Sequence, residues 1–544
     1  MFIEPVFGKK FFGREEIIAT LFKRVTAMKG GYRQNLALTG PMLSGKSSIL
    51  RHFLMNLKDP DVIPLYIEMV EEGYEDFCMR FMATLLYRYL RSIGGKNDGD
   101  FADLKKACSG LIPKTASEIE EICQFLKKKK NDEAYQKLLN LPAVFKDETG
   151  KNCIVILDEF HNLSNFRLKK PFQAFGKHIM VQKNTMYVVS SSQKTLLKEI
   201  LARKLSLLFG NFEVIEVGGF DNQTAHSFVS DKSRDLSFND NIKDFLIQLC
   251  QGNPLYLEVL IKRFTDLLGD KGKPRDEKEC LVDAFADTVY DSNGILNQYF
   301  TNSMNFFLEK KSRKKFLPVL IALAKGANTI KTVKEFLGRH DKELSSKLER
   351  LQHMDLIFKS GVFYKISDKL FEYWVRNVYC IKTKSMIDDM DIKYLEFKGV
   401  VEKDYLKFCD HEAKDVIDII TGLFRSFRNE KVNIGMHEKK MPKFDSVASR
   451  RINENASEIT GKIGKNQWVC RVKRNDMVDE NDLYDLVEMK PKTKEAKISR
   501  KIIIPLKGIE HHAFLLAKEK NIWVWKTSRL NRILRLYDNS ELVI

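Results

Sequence analysis

The sequence predicts an α/β protein that opens with a parallel sheet, continues with helical segments and ends with a second α/β region. Two observations lead to this fold class. Over residues 1–215, short apolar stretches typical of buried strands alternate with helical stretches, as in a parallel sheet with helical crossovers. The strand-like stretches fade after Gly218-Gly219 and return from about residue 430, where the pattern is again mixed.

Length and composition are those of a folded protein with several cores. The chain has 544 residues, of which 44% are hydrophobic and 30% charged, so a disordered or collagenous chain is excluded. The nine cysteines form no CxxC pair, which argues against a disulfide framework and a zinc site. No leader segment is visible, and the apolar run Phe316–Ala324 is too short to cross a bilayer. We therefore expect a cytoplasmic protein with no membrane partner.

The first region is predicted to contain four strands, the second and third separated by a mainly helical, polar segment over residues 75–150. The predicted strands are Asn35–Thr39, Val62–Met69, Asn152–Leu157 and Thr185–Val189. A run of lysines at 127–130 interrupts the helical segment, and we interpret it as a solvated helix end.

A phosphate-binding pattern follows the first strand. The loop reads GPMLSGKS and is followed by a helical stretch that begins near Ser48, so it lies between a strand and a helix, as the pattern GxxxxGK[ST] requires. Its residues are Gly40, Pro41, Met42, Leu43, Ser44, Gly45, Lys46 and Ser47, and the next residue, Ser48, is also predicted to contact the nucleotide. Glycines allow backbone amides to face phosphate oxygens, while Lys46 would bind the β- and γ-phosphates and Ser47 would ligate Mg²⁺. We expect this loop to bind ATP with Mg²⁺ as cofactor, and we expect Lys46 to take part in catalysis as well as in binding.

An acidic pair ends the third predicted strand. Asp158 is placed to hold Mg²⁺ through water, and Glu159 to polarise the water that attacks the γ-phosphate. Acidic residues also cap helices, and alone this pair would be interpreted so. The phosphate-binding loop upstream favours the metal and catalytic roles.

Hydroxyl groups end the fourth predicted strand, in Ser190-Ser191-Ser192-Gln193. They would either sense the γ-phosphate, with Ser192 as the catalytic candidate, or cap a turn at the strand end. His161 follows the acidic pair, and we interpret it as a structural or surface histidine.

Five motifs in a fixed order give residues 1–400 a specific resemblance to a known family. They are FGREE at 12–16, GPMLSGKSS at 40–48, LDEFHNL at 157–163, GNPL at 252–255 and SDKLFEYW at 367–374. The chain resembles the archaeal-type P-loop ATPases, which are close to the signal-transduction ATPases with numerous domains (STAND) and to the AAA+ class. The resemblance implies a RecA-like core, a helical lid and a winged-helix domain, with Gly13 and Arg14 beside the adenine and Pro254 in the lid.

One position departs from the family pattern. The family usually has Phe-Gly-Arg where this chain has Phe209-Gly210-Asn211. Since Asn211 cannot neutralise γ-phosphate charge as an arginine does, we expect slow hydrolysis. Switching between nucleotide states remains possible, because γ-phosphate contacts can order a segment without fast turnover.

The C-terminal half carries almost all of the excess positive charge. Residues 301–544 contain 49 basic and 34 acidic side chains, against 42 and 39 in residues 1–300. Residues 310–366 read as a winged helix, with phosphate-contact candidates at Lys347, Arg350, Lys359 and 313–315. Either these residues contact double-stranded DNA or the winged helix serves only as a structural lever.

Residues 401–544 show a weaker resemblance to the restriction-endonuclease-like fold. Its pieces are Asp445, the strand Trp468–Lys473 and the later strands and helix of residues 501–525. Nucleases of that fold hold Mg²⁺ with Asp…(Asp/Glu)-x-Lys, but Arg471 stands at the second acidic position. The resemblance therefore implies a degenerate module that binds DNA or a partner.

The predicted domains are an ATPase core at 1–217, a helical lid at 218–275, a winged-helix domain with the following helix at 280–400, and a nuclease-like α/β domain at 401–544. The predicted function is a slow Mg-ATPase whose nucleotide state switches a basic half, residues 301–544, that binds DNA or a partner. Two alternatives stay open, an ATP-dependent nuclease and a nucleotide-driven signalling scaffold, and a homo-oligomer is compatible with either.

Overall fold

The fold is described from a computed structural model, which covers residues 4–70, 73–95, 99–205, 212–233, 236–269, 275–308, 310–338, 342–384, 389–434, 437–490 and 497–543. The chain divides into two compact units, Met1–Gly219 and Phe220–Ile544. Within the described residues, no helix is long and apolar enough to cross a membrane.

The first unit is built on a five-stranded parallel sheet with the strand order β2-β3-β4-β1-β5. The strands are β1 (Asn35–Thr39), β2 (Val62–Glu68), β3 (Asn152–Asp158), β4 (Thr185–Ser191) and β5 (Phe212–Glu216). The four predicted strands and the parallel sheet are confirmed, whereas β5 had not been predicted.

Helices cover both faces of this sheet, which explains why its inner strands are apolar throughout. Along β3, Ile154 and Ile156 pack with α1 and α2, while Val155 and Leu157 pack in the opposite layer with the helices between β2 and β4. The helices of the unit are α1 (Glu15–Lys29), α2 (Lys46–Asn56), α3 (Tyr74–Ser92), α4 (Phe101–Ser109), α5 (Pro113–Lys127), α6 (Asn131–Thr149), α7 (Pro171–Val181) and α8 (Lys194–Glu199). The predicted helical segment at 75–150 is thus α3 to α6, and lysines 127–130 are exposed as expected.

The second unit begins with five helices, α9 (Asn222–Lys232), α10 (Asp240–Cys250), α11 (Pro254–Leu268), α12 (Glu277–Phe285) and α13 (Ile295–Phe307). The GNPL motif marks the start of α11. Asn253 is its N-cap and accepts hydrogen bonds from the amides of Leu255 and Tyr256, and Pro254 occupies the first helical position, where its missing N–H costs nothing.

Three helices and a hairpin then follow: α14 (Lys310–Ala324), α15 (Ile330–Leu337), α16 (Leu344–His353), β6 (Ile357–Ser360) and β7 (Phe363–Ile366). The tip of the hairpin is not open. The amide of Val362 donates to the carbonyl of Lys431 at 3.1 Å, and a Cβ on Gly361 would clash with that carbonyl. The next helices are α17 (Lys369–Trp374), α18 (Cys380–Lys384) and α19 (Met390–Glu412).

The chain ends in a mixed sheet with the strand order β10-β11-β12-β13-β14. β10 (Ser446–Arg451), β11 (Ala456–Ile463) and β12 (Asn466–Lys473) are antiparallel, and β13 (Lys497–Pro505) and β14 (Trp523–Val524) continue the sheet in parallel. The remaining elements are α20 (Val416–Ser426), the hairpin β8 (Glu430–Ile434) and β9 (His437–Met441), α21 (Glu480–Glu488), α22 (His511–Glu519) and α23 (Thr527–Leu536). Trp468 and Trp525 are buried in this core.

Candidate nucleotide-binding site

The loop after β1 has the backbone that its glycines allow. Gly45 has a φ of 94°, in the left-handed region, and the next residue begins α2. At Gly40 the reason for glycine is space, because a Cβ there would lie 2.1 Å from the carbonyl oxygen of Val217. The loop therefore approaches the backbone after β5 and leads directly into the N-terminus of a helix.

Lys46 lies inside this loop. Its Nζ donates to the carbonyl oxygens of Gly40 and Pro41 at 3.0 and 2.9 Å, and the residue is only 4% exposed. Burial lowers the pKa of the ammonium, an effect that the carboxylates of Glu159 and Asp158 oppose. The charge of Lys46 is thus held between the loop and the acidic end of β3.

Asp158 joins β3 to the loop. Its Oδ2 accepts a hydrogen bond from the hydroxyl of Ser47 at 2.7 Å and another from the hydroxyl of Tyr66 at 2.5 Å. The hydroxyl of Ser190, at the end of β4, donates to Oδ1. The sequence-predicted metal candidates Ser47 and Asp158 are therefore in direct contact.

This pair fits Mg²⁺, which prefers oxygen ligands and usually keeps several waters and substrate phosphates in its coordination sphere. Within the described part of the chain, no group of three or more His, Cys, Asp or Glu could hold a metal ion. A hydroxyl and one carboxylate are the smaller donor set expected for a metal that arrives with a nucleotide.

Glu159 is held by the end of β4. Its Oε2 accepts hydrogen bonds from both the amide and the hydroxyl of Ser192, each at 2.9 Å. Its backbone is left-handed, with a φ of 52°. Burial raises the pKa of this carboxyl, although Lys46 opposes the shift. Two of the three residues predicted as catalytic, Glu159 and Ser192, are thus brought together, and Lys46 is the third.

His161 is buried, which agrees with the structural rather than the surface branch of its interpretation. Its Nδ1 lies 2.9 Å from the hydroxyl of Ser191, and its Nε2 lies 3.2 Å from the side-chain nitrogen of Gln193. Burial lowers the pKa of the imidazole to about 4, so that it is neutral near pH 7.

The N-terminal segment crosses the start of α2. Ser48 accepts a hydrogen bond from the amide of Val6 at 3.0 Å, and Arg14, which follows Gly13, donates to the carbonyls of Gly218 and Gly219. The FGREE motif is therefore fixed beside the loop. The placement of Gly13 and Arg14 next to adenine stays a prediction.

The remaining loop residues differ in exposure. Met42 is exposed, and Leu43 has a positive φ of 62°. Ser44 is buried, and in the described structure its hydroxyl finds no hydrogen-bond partner. A buried hydroxyl without a partner inside a phosphate-binding loop is consistent with a ligand that supplies one.

Pro254 belongs to the second unit, at the start of α11. Asn211 lies outside the described residues. Arg203, which is close to Asn211 in sequence, is exposed and pairs with Glu199 at 3.3 Å.

The sequence analysis does not identify Tyr66 as a residue of the site. It lies within β2, where an alternating apolar pattern gives no sign of a functional hydroxyl, and the guanidinium of Arg51 lies 4.4 Å from its ring centroid. Burial and the neighbouring carboxylate of Asp158 raise the pKa of Tyr66 above its usual value, so that the group stays a donor.

The structure does not bring together the nuclease-like residues. In the strand register, Arg471 lies opposite Glu458, and Glu458 lies opposite Arg450. Asp445 precedes β10, five residues from Arg450, which corresponds to about 17 Å along a strand. The carboxylate of Asp445 accepts the amide of Gly464 instead.

A family comparison agrees with the nucleotide-site geometry. Residues 11–260 match the model of an ATPase domain found predominantly in Archaea. This part of the chain is an archaeal-type P-loop ATPase domain. The matched segment includes the phosphate-binding loop, the acidic pair and Pro254, so the resemblance noted from five motifs is confirmed for the ATPase.

Two relatives align with a longer part of the chain than the family model does. Two uncharacterized ATP-binding proteins of Methanocaldococcus jannaschii are 25% and 24% identical over 325 and 294 residues. These alignments cover 56% and 50% of this chain and 85% and 76% of the relatives. Among solved structures, a Walker-type ATPase of Pyrococcus abyssi is similar with a TM-score of 0.49 and 17% identity, over 68% of this chain and 97% of that one.

Proposed function

We propose that this ATP-binding ATPase is a slow Mg-ATP switch whose nucleotide state controls DNA binding by the basic C-terminal half. The observation that carries the ATPase part is the 2.7 Å hydrogen bond between Ser47 and Asp158, which joins the phosphate-binding loop to the acidic end of β3. The proposal for DNA is carried by the net charge of +15 on residues 301–544.

In this proposal the phosphate-binding loop holds the phosphates of ATP. The amides of residues 40–47 and the N-terminus of α2 would face the phosphates, and Lys46 would turn from the carbonyls of Gly40 and Pro41 to the β- and γ-phosphates. The buried hydroxyl of Ser44, which has no hydrogen-bond partner in the described structure, would gain one in a phosphate oxygen. The loop would thus exchange internal contacts for contacts with its substrate.

Mg²⁺, when bound, supplies positive charge that offsets the charge developing on the phosphates. Ser47 would hold it directly and Asp158 through water. Glu159 would accept a proton from the attacking water, and Ser192 would donate to the γ-phosphate. Glu159 and Ser192 must first give up their hydrogen bonds to each other. We therefore expect slow hydrolysis, in addition to any effect of Asn211 in place of the family arginine.

We also propose the finer domain division at 217, 275 and 400, with a winged helix formed by α14 to α16 and the β6–β7 hairpin. Because the hairpin tip packs on β8, the helices rather than the tip would face DNA. Lys314 on α14 and Arg350 on α16 are exposed. Phosphate contacts by such residues would be strongly salt-dependent and weakly sequence-specific.

The test is ATP hydrolysis and duplex-DNA binding by the wild-type chain and by Lys46→Ala, measured with and without nucleotide over a salt series. We expect the variant to lose nucleotide binding and hydrolysis. In the wild type, DNA affinity should differ between the ATP and ADP states and fall steeply with salt. The variant should keep one nucleotide-independent DNA affinity.

The outcomes separate the alternatives. ATP binding without any DNA affinity, together with an ATP-dependent change in mass, would favour a signalling scaffold. Mg²⁺-dependent cleavage of plasmid DNA that is lost in Asp445→Ala would favour a nuclease. DNA binding that is identical in all nucleotide states would contradict the switch while leaving the ATPase intact.

A further inference from the structure

The loops that follow β3 and β4 are joined by a set of hydrogen bonds centred on His161. His161 contacts Ser191 and Gln193 through its two ring nitrogens, while the neighbouring Glu159 contacts Ser192. His161 Nδ1 also lies 3.3 Å from Oε2 of Glu159. One buried side chain is therefore in contact with both sides of the predicted γ-phosphate sensor.

The polarity of these bonds is internally consistent. A neutral imidazole has one donor and one acceptor nitrogen. The side-chain amide nitrogen of Gln193 only donates, so Nε2 is the acceptor and Nδ1 carries the proton. Nδ1–H then donates to the hydroxyl of Ser191, which also accepts the amide of Gln193 at 3.0 Å and donates to the carbonyl of Gln193 at 3.3 Å. Every group in this chain of contacts has a matching partner.

We propose that His161 is the positioning residue that sets the preference of this site for ATP over ADP, a proposal that rests on the proposed function. By fixing Ser191 and Gln193 on both sides of Ser192, it holds the Ser192 hydroxyl beside Glu159. A γ-phosphate can then draw that hydroxyl away and release the carboxylate in a single exchange. ADP offers no such acceptor.

The placement of His161 explains why a substitution would act on the γ-phosphate and not on the rest of the nucleotide. The contacts of Lys46 and Ser47 are made with the loop after β1 and with Asp158. The side chain of His161 hydrogen-bonds to neither residue in the described structure, and the three side-chain contacts named above lie at the ends of β3 and β4. ADP binding therefore depends on groups that His161 does not position.

Two substitutions of His161 distinguish a role in positioning its partners from a role in filling the buried space. His161→Leu keeps an apolar side chain in the buried position but removes both hydrogen bonds. His161→Asn keeps a donor near the position of Nδ1 and can still reach Ser191. His178→Leu is the matched control, because His178 lies in the same unit on α7 and contacts Gln136 at 2.9 Å.

The measurement is the affinity of the full chain for ADP and for a non-hydrolysable ATP analogue, by calorimetry in Mg²⁺, with thermal melts as a check on folding. We expect the wild type to prefer the analogue and His161→Leu to lose about tenfold of that preference, the equivalent of one hydrogen bond of about 1.4 kcal/mol. ADP affinity should stay within about twofold. His161→Asn should recover most of the preference, and in steady state His161→Leu should lower kcat with little change in KM.

Three results would overturn the proposal. The preference could be unchanged in His161→Leu, the affinities for both nucleotides could fall together as expected for a purely structural role, or the wild type could bind both equally. Binding of neither nucleotide by the wild type would be a different failure, since it would contradict the proposed function itself.

Discussion

The hydroxyl of Tyr256 donates a 2.6 Å hydrogen bond to the half-buried carboxylate of Asp368. This bond links two motifs that are more than 100 residues apart in the sequence, the GNPL start of α11 and the segment that begins α17. Asp368 also caps α17 by accepting the amide of Phe371, and the adjacent Lys369 lies 3.2 Å from Glu541 at the C-terminus. The start of α11 is thus fixed to α17 and to the end of the chain inside one unit.

Replacement of Tyr256 by Phe should destabilise the second unit. Burial raises the pKa of Asp368, and the Tyr256 hydroxyl opposes that shift by stabilising the charged form. Without the donor, a half-buried carboxylate oxygen loses its partner, which costs about 1–3 kcal/mol. All four tryptophans lie in this unit, so tryptophan fluorescence during urea unfolding reports on it directly.

Tyr32→Phe is the control for this substitution, since Tyr32 is 81% exposed and its hydroxyl is available to water. We expect the urea midpoint of the control to match the wild type. An unchanged midpoint in Tyr256→Phe would show that the bond contributes nothing to stability.

Replacement of Gly40 by Ala should weaken nucleotide binding at least tenfold. The new Cβ would lie 2.1 Å from the backbone oxygen of Val217, which cannot move away as a side chain can. The loop would have to shift, and its amides would lose their common orientation. Calorimetric titration with ADP measures the effect.

Gly110→Ala gives a matched control for the loop substitution, because Gly110 has an ordinary φ of −83° and nothing lies within 4 Å of its added Cβ. It should bind ADP like the wild type. Equal affinities for Gly40→Ala and Gly110→Ala would mean that the close approach to Val217 does not shape the loop.

Replacement of Tyr66 by Phe should raise the Mg²⁺ concentration needed for half-maximal hydrolysis several-fold. Tyr66 and Ser47 donate to the same oxygen of Asp158, so the tyrosine hydroxyl fixes the orientation of the carboxylate that is proposed to hold Mg²⁺ through water. Nucleotide affinity in the presence of EDTA should not change, because the tyrosine is expected to act through the metal alone.

Tyr187→Phe tests whether any buried tyrosine of this sheet would have the same effect. Tyr187 lies on β4 and donates to Gln182 at 2.7 Å, on the layer away from Asp158. Its Mg²⁺ dependence should remain that of the wild type. A similar shift in both variants would assign the effect to general loosening of the sheet.

The sequence was sufficient to predict which strand ends carry the site. Parallel strands place their carboxyl ends at one edge, so Asp158 and Ser192 could be expected near the phosphate-binding loop from their positions after apolar strands. Tyr66 was not predictable in this way, because it lies inside a strand and only the neighbouring register with β3 brings its hydroxyl to Asp158. Strand β5 was missed because it lies at the sheet edge and only partly buries its side chains.

The pairing register of the strands also explains why the nuclease-like residues do not lie together, although their order in the sequence resembles that of a nuclease. Asp445 and Arg471 are in the expected order along the chain, but sequence order does not specify which residues face each other across antiparallel strands. Pairing places Glu458 opposite Arg471, and Arg450 Nε donates to Glu458 at 2.8 Å. The buried acid is thus compensated by arginine, and a cation is not needed to balance its charge.

Reversal of two charges on the proposed winged helix should weaken DNA binding in a salt-dependent way. In Lys314→Glu/Arg350→Glu, two exposed cations on the packed helices α14 and α16 are replaced. Loss of two phosphate contacts should lower the slope of log affinity against log salt by about 2, since each contact contributes about 0.9. Lys127→Glu/Lys128→Glu changes the charge equally in the first unit and should leave the slope unchanged. If both double variants weaken binding alike, the effect is one of total charge; if neither does, the helices serve as a lever and the DNA-binding surface is elsewhere.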